Sequence, residues 1–422
     1  MPPAIAGKAR AAPFFEMNHP ANLLRSGHPI WMCGMRPFFV LTMVAAIGLL
    51  GWWAFVLALG WPVPRVVGGP LVWHVHELVY GFAMAAVAGF ALTALPEFTG
   101  RPGATRSQLR ALVLLWLCGR LGFWVSGHAG GAALWLAAAA QVGLPLALLA
   151  VLAPALRSPQ GRRHGSFGVL LLALAATAAG FYADALRGMA GLRWLHAALG
   201  VLMLLIVVAA SRISMRIVNR AIEEVTPGAA PYVARPPRRH LAALCITLYT
   251  AAEFLRPASA LAGWLALAAS AAVFHLMGDW HVGAALWRRR FPLLLYAMYA
   301  CMALGYGALG LAHLGVLPGT AAGRHLIGMG TVGLGIYVVI AIAGRAHAGL
   351  APDPGRWVPL GAAALLVATA VRAAAGGMGG GGGWLALAAA GWCLAFLAVL
   401  WRIGPPLWRP RSDGRQGCDG PE

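Results

Sequence analysis

Apolar runs of about 20 residues recur along almost the whole chain, and this feature constrains the fold more than any other. An α-helix rises about 1.5 Å per residue, so each run can cross the roughly 30 Å hydrocarbon core of a bilayer. Of the 422 residues, 60% are hydrophobic and 10% are charged, whereas soluble domains carry about 25% charged residues. We therefore expect an all-α, polytopic integral membrane protein.

The hydropathy pattern predicts about twelve transmembrane helices. The seventh and eighth are the weakest of these, because they are short and only Arg256-Pro257-Ala258-Ser259 separates them, so the two could form one interrupted hairpin. The predicted spans are 38–60, 73–95, 109–127, 132–153, 167–187, 194–218, 240–257, 260–277, 291–314, 324–344, 357–375 and 384–404.

The distribution of lysine and arginine predicts the orientation of the chain. Most of the 32 basic residues fall in loops on one side of the predicted spans, and cytoplasmic loops carry such an excess. Both termini are therefore expected in the cytoplasm. The predicted organisation is a cytoplasmic segment over 1–35, a membrane domain over 36–405 and a cytoplasmic tail over 406–422.

The net charge of +20 does not indicate a nucleic-acid partner. The arginines lie in short loops between apolar runs, and they do not form one basic face with stacking aromatic residues. The expected partner of this chain is the lipid bilayer. The six cysteines form no CxxC or CxxCH motif, which argues against a zinc ribbon and against covalent haem attachment.

Ionisable residues open the second predicted span, where His74, His76 and Glu77 precede a long apolar run. Such groups are costly in a membrane unless they are paired, bound to metal or hydrated. Neutral imidazole is a common ligand of copper and haem iron, although an interfacial histidine can also simply contact water and headgroups. The predicted topology places six histidines near the outer surface: His74, His76, His128, His196, His313 and His325.

Helical spacing separates the two histidines of the second span. In a regular helix His74, Glu77 and Gly81 share one line, while His76 and Tyr80 share another that is rotated by about 160°. Either the two histidines serve different centres, or one is a ligand and the other supports it. Glu77 is expected to accept the N–H of His74 and so to fix its tautomer.

Gly81, Ala85 and Gly89 form a row of small residues on the same helix. Such a row permits close approach of another helix or of a flat macrocycle. Four tryptophans fit an outer aromatic belt and are assigned no chemistry: Trp52, Trp53, Trp61 and Trp73.

Further polar residues lie within the predicted spans. Arg120 and Asp184 could form a pair, or Arg120 could face haem propionates. Glu253 and Arg256 are expected to form an i,i+3 salt bridge.

The second span and its flanks carry a specific family resemblance. The residues are Trp73-His74-Val75-His76-Glu77, Tyr80-Gly81-Phe82, Ala88-Gly89-Phe90-Ala91-Leu92-Thr93-Ala94-Leu95-Pro96 and Thr99-Gly100-Arg101. This block resembles the NnrS family, bacterial membrane proteins linked to haem, copper and nitric oxide stress. Weaker matches are Arg36-Pro37-Phe38-Phe39, Gly119-Arg120, Ser211-Arg212-Ile213 and His325-Leu326-Ile327-Gly328-Met329-Gly330.

The resemblance implies a twelve-helix protein of the bacterial inner membrane that binds haem b and copper. It implies a role in nitrosative stress or denitrification, with nitric oxide or a related species as partner and a quinol or a separate protein as electron donor. By position, the candidate ligands are His74, His76, His196 and His325. The candidate supporting residues are Glu77, Tyr80 and Arg120.

Three function classes remain in competition. A haem- and copper-binding enzyme or sensor of the nitric oxide response is the first. A transporter of copper, haem or a small metabolite is the alternative, but transport sites usually lie near the bilayer midplane, where this chain is almost entirely apolar. A haem–copper oxidase subunit is disfavoured, because most histidines lie at helix ends.

Overall fold

The computed structural model describes residues 27–281, 283–351, 353, 355–375, 382–415 and 417, and within them the chain forms helices and no β-strand. Twelve long helices follow one another in this part of the chain, and each predicted span has a counterpart. They are α1 Met35–Leu59, α2 Gly69–Thr99, α3 Arg106–Ala129, α4 Gly131–Arg157, α5 Gly165–Leu186, α6 Leu192–Val225, α7 Pro236–Leu255, α8 Ala260–Met277, α9 Arg290–His313, α10 Ala321–Ala346, α11 Trp357–Ala375 and α12 Gly382–Leu407.

Eleven of these helices are long and apolar enough to cross a membrane, among the residues that the structure describes. The exception is α7, because it carries Arg238, Arg239 and Glu253. It is nevertheless a separate helix from α8, whose first turn is capped by the Ser259 hydroxyl accepting the N–H of Ala262 at 3.2 Å. The all-α, multi-pass architecture is thus confirmed.

The orientation of the termini stays a prediction. The predicted terminal segments 1–35 and 406–422 also stay predictions, because they lie partly outside the described residues.

Two helices occupy the middle of the bundle. Consecutive helices pack on one another, α12 packs on α1, and α2 and α10 lie inside this arrangement. In α2, 89% of the most apolar 18-residue window is buried. The predicted small-residue row explains part of that packing, because a Cβ at Gly89 would lie 2.8 Å from Phe39 Cδ1 of α1. At Gly89 the close approach is therefore made by a helix and not by a macrocycle.

Both central helices contain a π-helical segment. In α2 it spans Glu77–Ala83 and directly follows His76; in α10 it spans Leu326–Gly333 and directly follows His325. A π-helix closes i→i+5 hydrogen bonds, and such segments are frequent at functional sites. The positions of the two π segments therefore make the region around His76 and His325 a candidate functional site.

The side chain of Arg36 joins three helix ends. Arg36 is fully buried, and its guanidinium donates to the carbonyls of Leu407 at 3.0 Å, Arg409 at 2.6 Å and His347 at 3.3 Å. Leu407 ends α12 and His347 follows α10, where carbonyls lack helical partners and carry partial negative charge. A cation at the start of α1 therefore holds the ends of α10 and α12.

Candidate histidine cavity

Three of the four predicted ligands line one cavity of about 320 Å³ at one end of the bundle. His74, His196 and His325 come from α2, α6 and α10, and each lies near the first turn of its helix. The volume is at the lower end of the range of about 300–1,000 Å³ typical of small-molecule pockets. We call this space the histidine cavity.

His325 is oriented by its own helix. Its Nδ1 lies 2.8 Å from the carbonyl oxygen of Ala321, one turn earlier. A carbonyl can only accept, so Nδ1 carries the hydrogen and Nε2 keeps its lone pair. This is the arrangement that metal-binding histidines usually show, since the second nitrogen fixes the tautomer and the ring orientation.

His74 is held by ring contact. Its imidazole stacks on the indole of Trp53, with ring centroids 4.5 Å apart and planes inclined by 17°. Its ring nitrogens make no hydrogen bond to a described residue, and the residue lines the same cavity as His325. His74 therefore offers a nitrogen lone pair without a fixed orientation.

The charged lining of the histidine cavity is positive. Arg324 and Arg372 contribute to its wall, and no carboxylate does so among the described residues. Arg324 pairs with Glu253, whereas the half-buried guanidinium of Arg372 forms no hydrogen bond or ion pair with a described residue. Most of the remaining wall is apolar, as at Trp392. The cavity suits a ligand with an apolar body and an anionic edge.

His76 lies outside the histidine cavity in a separate polar cluster. Its Nδ1 is 3.0 Å from Glu77 Oε1 and its Nε2 is 3.1 Å from the hydroxyl of Tyr182. Its ring is fully buried against Phe123, at a centroid distance of 3.7 Å. The expected separation of His74 from His76 is therefore present, and both nitrogens of His76 have protein partners.

The predicted pairing of Glu77 with His74 was wrong, since Glu77 contacts His76. Glu77 follows His74 within an α-helical turn, since its N–H bonds to the carbonyls of Trp73 and His74. The difference lies in the side chains: the His74 ring stacks on Trp53 of α1, and the Glu77 carboxylate contacts the His76 ring. Glu77 Oε1 also accepts from Arg120 Nη1 at 2.7 Å. Gly81 makes room for this pair, because a Cβ there would lie 3.3 Å from Glu77 Oε2 and 3.4 Å from Arg120 Nη1.

Arg120 does not pair with Asp184, whereas its predicted contact with haem propionates stays a prediction. Its second nitrogen donates to the side chain of Gln141, and it does not line the histidine cavity. Asp184 instead accepts from Arg193 at 3.2 Å and from the indole of Trp194 at 2.9 Å. The third predicted supporting residue, Tyr80, packs against the ring of His76 and donates to Thr177 at 3.1 Å.

The expected pair of Glu253 with Arg256 was also wrong. Glu253 contacts Arg324, and Glu253 Oε1 lies 3.7 Å from His313 Nε2. Arg256 is exposed after the end of α7. The real partner is 71 residues away in the chain, a distance over which local spacing gives no information.

The sequence does not reveal five residues of these two clusters. It assigns Trp53 to an aromatic belt, and it predicts no role beyond the topology for Arg324, Arg372, Gln141 and Tyr182. Arg324 and Arg372 carry a usable signal, since each is a lone arginine near one end of an apolar run.

The described residues contain no group of three or more His, Cys, Asp or Glu side chains that could hold a metal ion. Histidine pairs are a different case, because haem iron needs only one or two axial ligands from the protein. The donors of the histidine cavity thus fit haem, and they do not supply a complete copper site.

The fold and the cavity define a multi-pass membrane protein with a buried, cationic, histidine-lined site near one end of its helix bundle. Residues 29–411 match the model of the family described as NnrS protein. The chain therefore belongs to the NnrS family, as its second span indicated. No curated protein matches the sequence.

Proposed function

We propose that the histidine cavity binds haem b, with His325 and His74 as the residues that would hold the iron. The observation that carries this proposal is that these two imidazoles share one largely apolar cavity with Arg372, whose guanidinium has no partner among the described residues. Haem has the matching chemistry: an apolar macrocycle, an iron that accepts imidazole nitrogen, and propionates that pair with arginine.

The two histidines would have different tasks. His325 is fixed by the Ala321 carbonyl and is the permanent ligand. His74 is held only by stacking on Trp53 among the described residues, so it would hold the iron less firmly than His325 does. Haem, when bound, would supply an iron that can take nitric oxide. The apolar wall around it keeps water from competing.

In the cell, we propose that this chain acts in the response to nitric oxide or in denitrification, as a multi-pass protein of the bacterial inner membrane with the histidine cavity on the periplasmic side. A quinol or a separate protein would donate any electrons. Membership of the NnrS family supports this role. Copper binding, which the resemblance also implies, stays a prediction.

Transport of a metal cation is less well supported. The described wall of the histidine cavity holds two arginines and no carboxylate, and positive charge disfavours a cationic cargo. Copper uptake by proteoliposomes that His74→Ala abolishes, in protein without a haem spectrum, would contradict our proposal and favour the transporter.

Visible spectroscopy of purified, haem-loaded protein tests the ligand assignment. We expect His325→Ala to lose the Soret band. We expect His74→Ala to keep haem but to change from a six-coordinate to a five-coordinate spectrum. His128→Ala, at an exposed histidine at the end of α3, is the matched control and should resemble the wild type. A wild type without a Soret band, or three variants with normal spectra, would refute the proposal.

A further inference from the structure

A second cavity lies deeper in the bundle between α2, α6, α9 and α10. Its volume is about 90 Å³, and its described wall contains no polar side chain. Water needs two to four polar partners to occupy a buried site, so an apolar space of this kind stays dry and can bind xenon or a small hydrocarbon. We call this space the dry cavity.

The dry cavity adjoins the histidine cavity. Ala83, Leu202 and Val332 line both spaces and form the partition between them. Ala83 ends the π segment of α2 and Val332 lies in the π segment of α10. Each of the two π segments therefore contributes a residue to the partition.

The opposite side of the dry cavity reaches the lipid-facing surface. Five of its lining residues are half-buried, whereas those near the partition are buried: the five are Phe90, Ile206, Ile213, Ile336 and Val339. They lie within spans long enough to cross the hydrocarbon core. This opening thus faces the acyl chains and not water.

We propose that the dry cavity is a lateral access site through which small uncharged, lipid-soluble molecules, such as diatomic gases, pass from the bilayer to the histidine cavity. The proposal that the dry cavity is a route to the histidine cavity rests on the proposed function of the histidine cavity. The proposal that the dry cavity binds a small apolar molecule does not rest on it. Such solutes concentrate in hydrocarbon, and the apolar wall admits them while it excludes water and ions.

Xenon binding to the full-length protein in lipid nanodiscs tests the site without any haem. We expect xenon density in the dry cavity of the wild type. Ala86→Leu fills the cavity and should lower xenon affinity about tenfold, since the filled space offers no contacts to a guest. Ala176→Leu, on the exposed face of α5, makes the same change outside the cavity and should bind xenon normally.

Val339→Phe narrows the half-buried opening. It provides a second test, which does not depend on whether Ala86→Leu folds. It should slow xenon exchange while Ala176→Leu does not. Absence of xenon from the wild type, continuous acyl-chain density in the cavity, or equal exchange in all variants would overturn the proposal.

Carbon monoxide rebinding to the haem-loaded protein after photolysis tests the route. We expect Val339→Phe to slow rebinding about tenfold relative to Ala176→Leu, as a narrower opening raises the barrier to passage. Xenon binding in protein that takes up no haem would refute the proposed function alone. Haem binding without xenon would refute the access site alone.

Discussion

At the scale of single residues, the Glu77–Arg120 pair shows what a buried charge requires in this protein. Glu77 is 1% exposed and Arg120 is 6% exposed. Neither charge could remain there alone, because removal of one partner leaves the other uncompensated away from water. His76 and Gln141 add hydrogen bonds to this pair, so the cluster couples α2, α3 and α4.

Replacement of Glu77 should therefore destabilise the whole fold. We expect Glu77→Gln to lower the free energy of unfolding by about 3–5 kcal/mol, since it leaves Arg120 buried and unpaired. Thermal unfolding in detergent measures the effect. Glu97→Gln breaks the exposed pair of Glu97 with Arg216 and should cost about 0–1 kcal/mol. Equal shifts in the two variants would contradict this account.

The unpaired Arg372 yields a second prediction at this scale. Arg372→Gln should weaken haem binding about tenfold or more, because a hydrogen bond to a charged partner contributes about 1.5–3 kcal/mol. The measurement is a haem titration followed by absorbance. Arg256→Gln changes an exposed arginine that does not line the histidine cavity and is the control. If both variants bind haem like the wild type, the propionates do not lie at Arg372.

At the scale of helices, the π segments set the direction of the ligands. A π segment holds more residues per turn than an α-helix. Side chains that precede the segment therefore point in a different direction, relative to side chains that follow it, than they would on a continuous α-helix. In α10, His325 lies before this segment and the buried Tyr337 lies after it. The segment therefore decides which side of α10 His325 occupies.

Deletion of Gly328 tests this control of direction. Loss of one residue should rotate His325 by about 100° relative to the rest of α10. We expect the variant to lose the haem spectrum and to remain monodisperse in detergent. Leu326→Met keeps the length of the π segment and changes a residue that does not line the histidine cavity, so it should behave as wild type. A normal spectrum after the deletion would show that the winding does not position His325.

Prediction from sequence succeeded for features that repeat locally and failed for pairings between distant residues. Twelve helices were predictable because a bilayer demands apolar runs of one length. The change from α-helix to π-helix at Glu77 could not be predicted, because the same apolar residues are compatible with both kinds of helix. The partner of Glu253 was missed because α10 comes to lie beside α7 only in the assembled bundle.

At the scale of the whole molecule, Arg36 ties the beginning of the bundle to its end. We expect Arg36→Met to lower the free energy of unfolding by about 3 kcal/mol or more, since four carbonyls lose a charged donor, at about 1.5–3 kcal/mol for each hydrogen bond to a charged group. Thermal unfolding again provides the measurement. Arg402→Met, at an exposed arginine of α12, is the control. If the two variants melt alike, the contacts of Arg36 do not hold the helix ends.

The position of Arg36 also has a consequence for biosynthesis. Its carbonyl partner at Leu407 is 371 residues away, so the ribosome must add all of these residues before the guanidinium can bond to that carbonyl. Until α12 has been inserted, the nascent chain carries an incompletely bonded charge at the start of its first helix. A chain that stops before α12 keeps this defect permanently, which gives cellular quality control a chemical means to distinguish a truncated protein from a finished one.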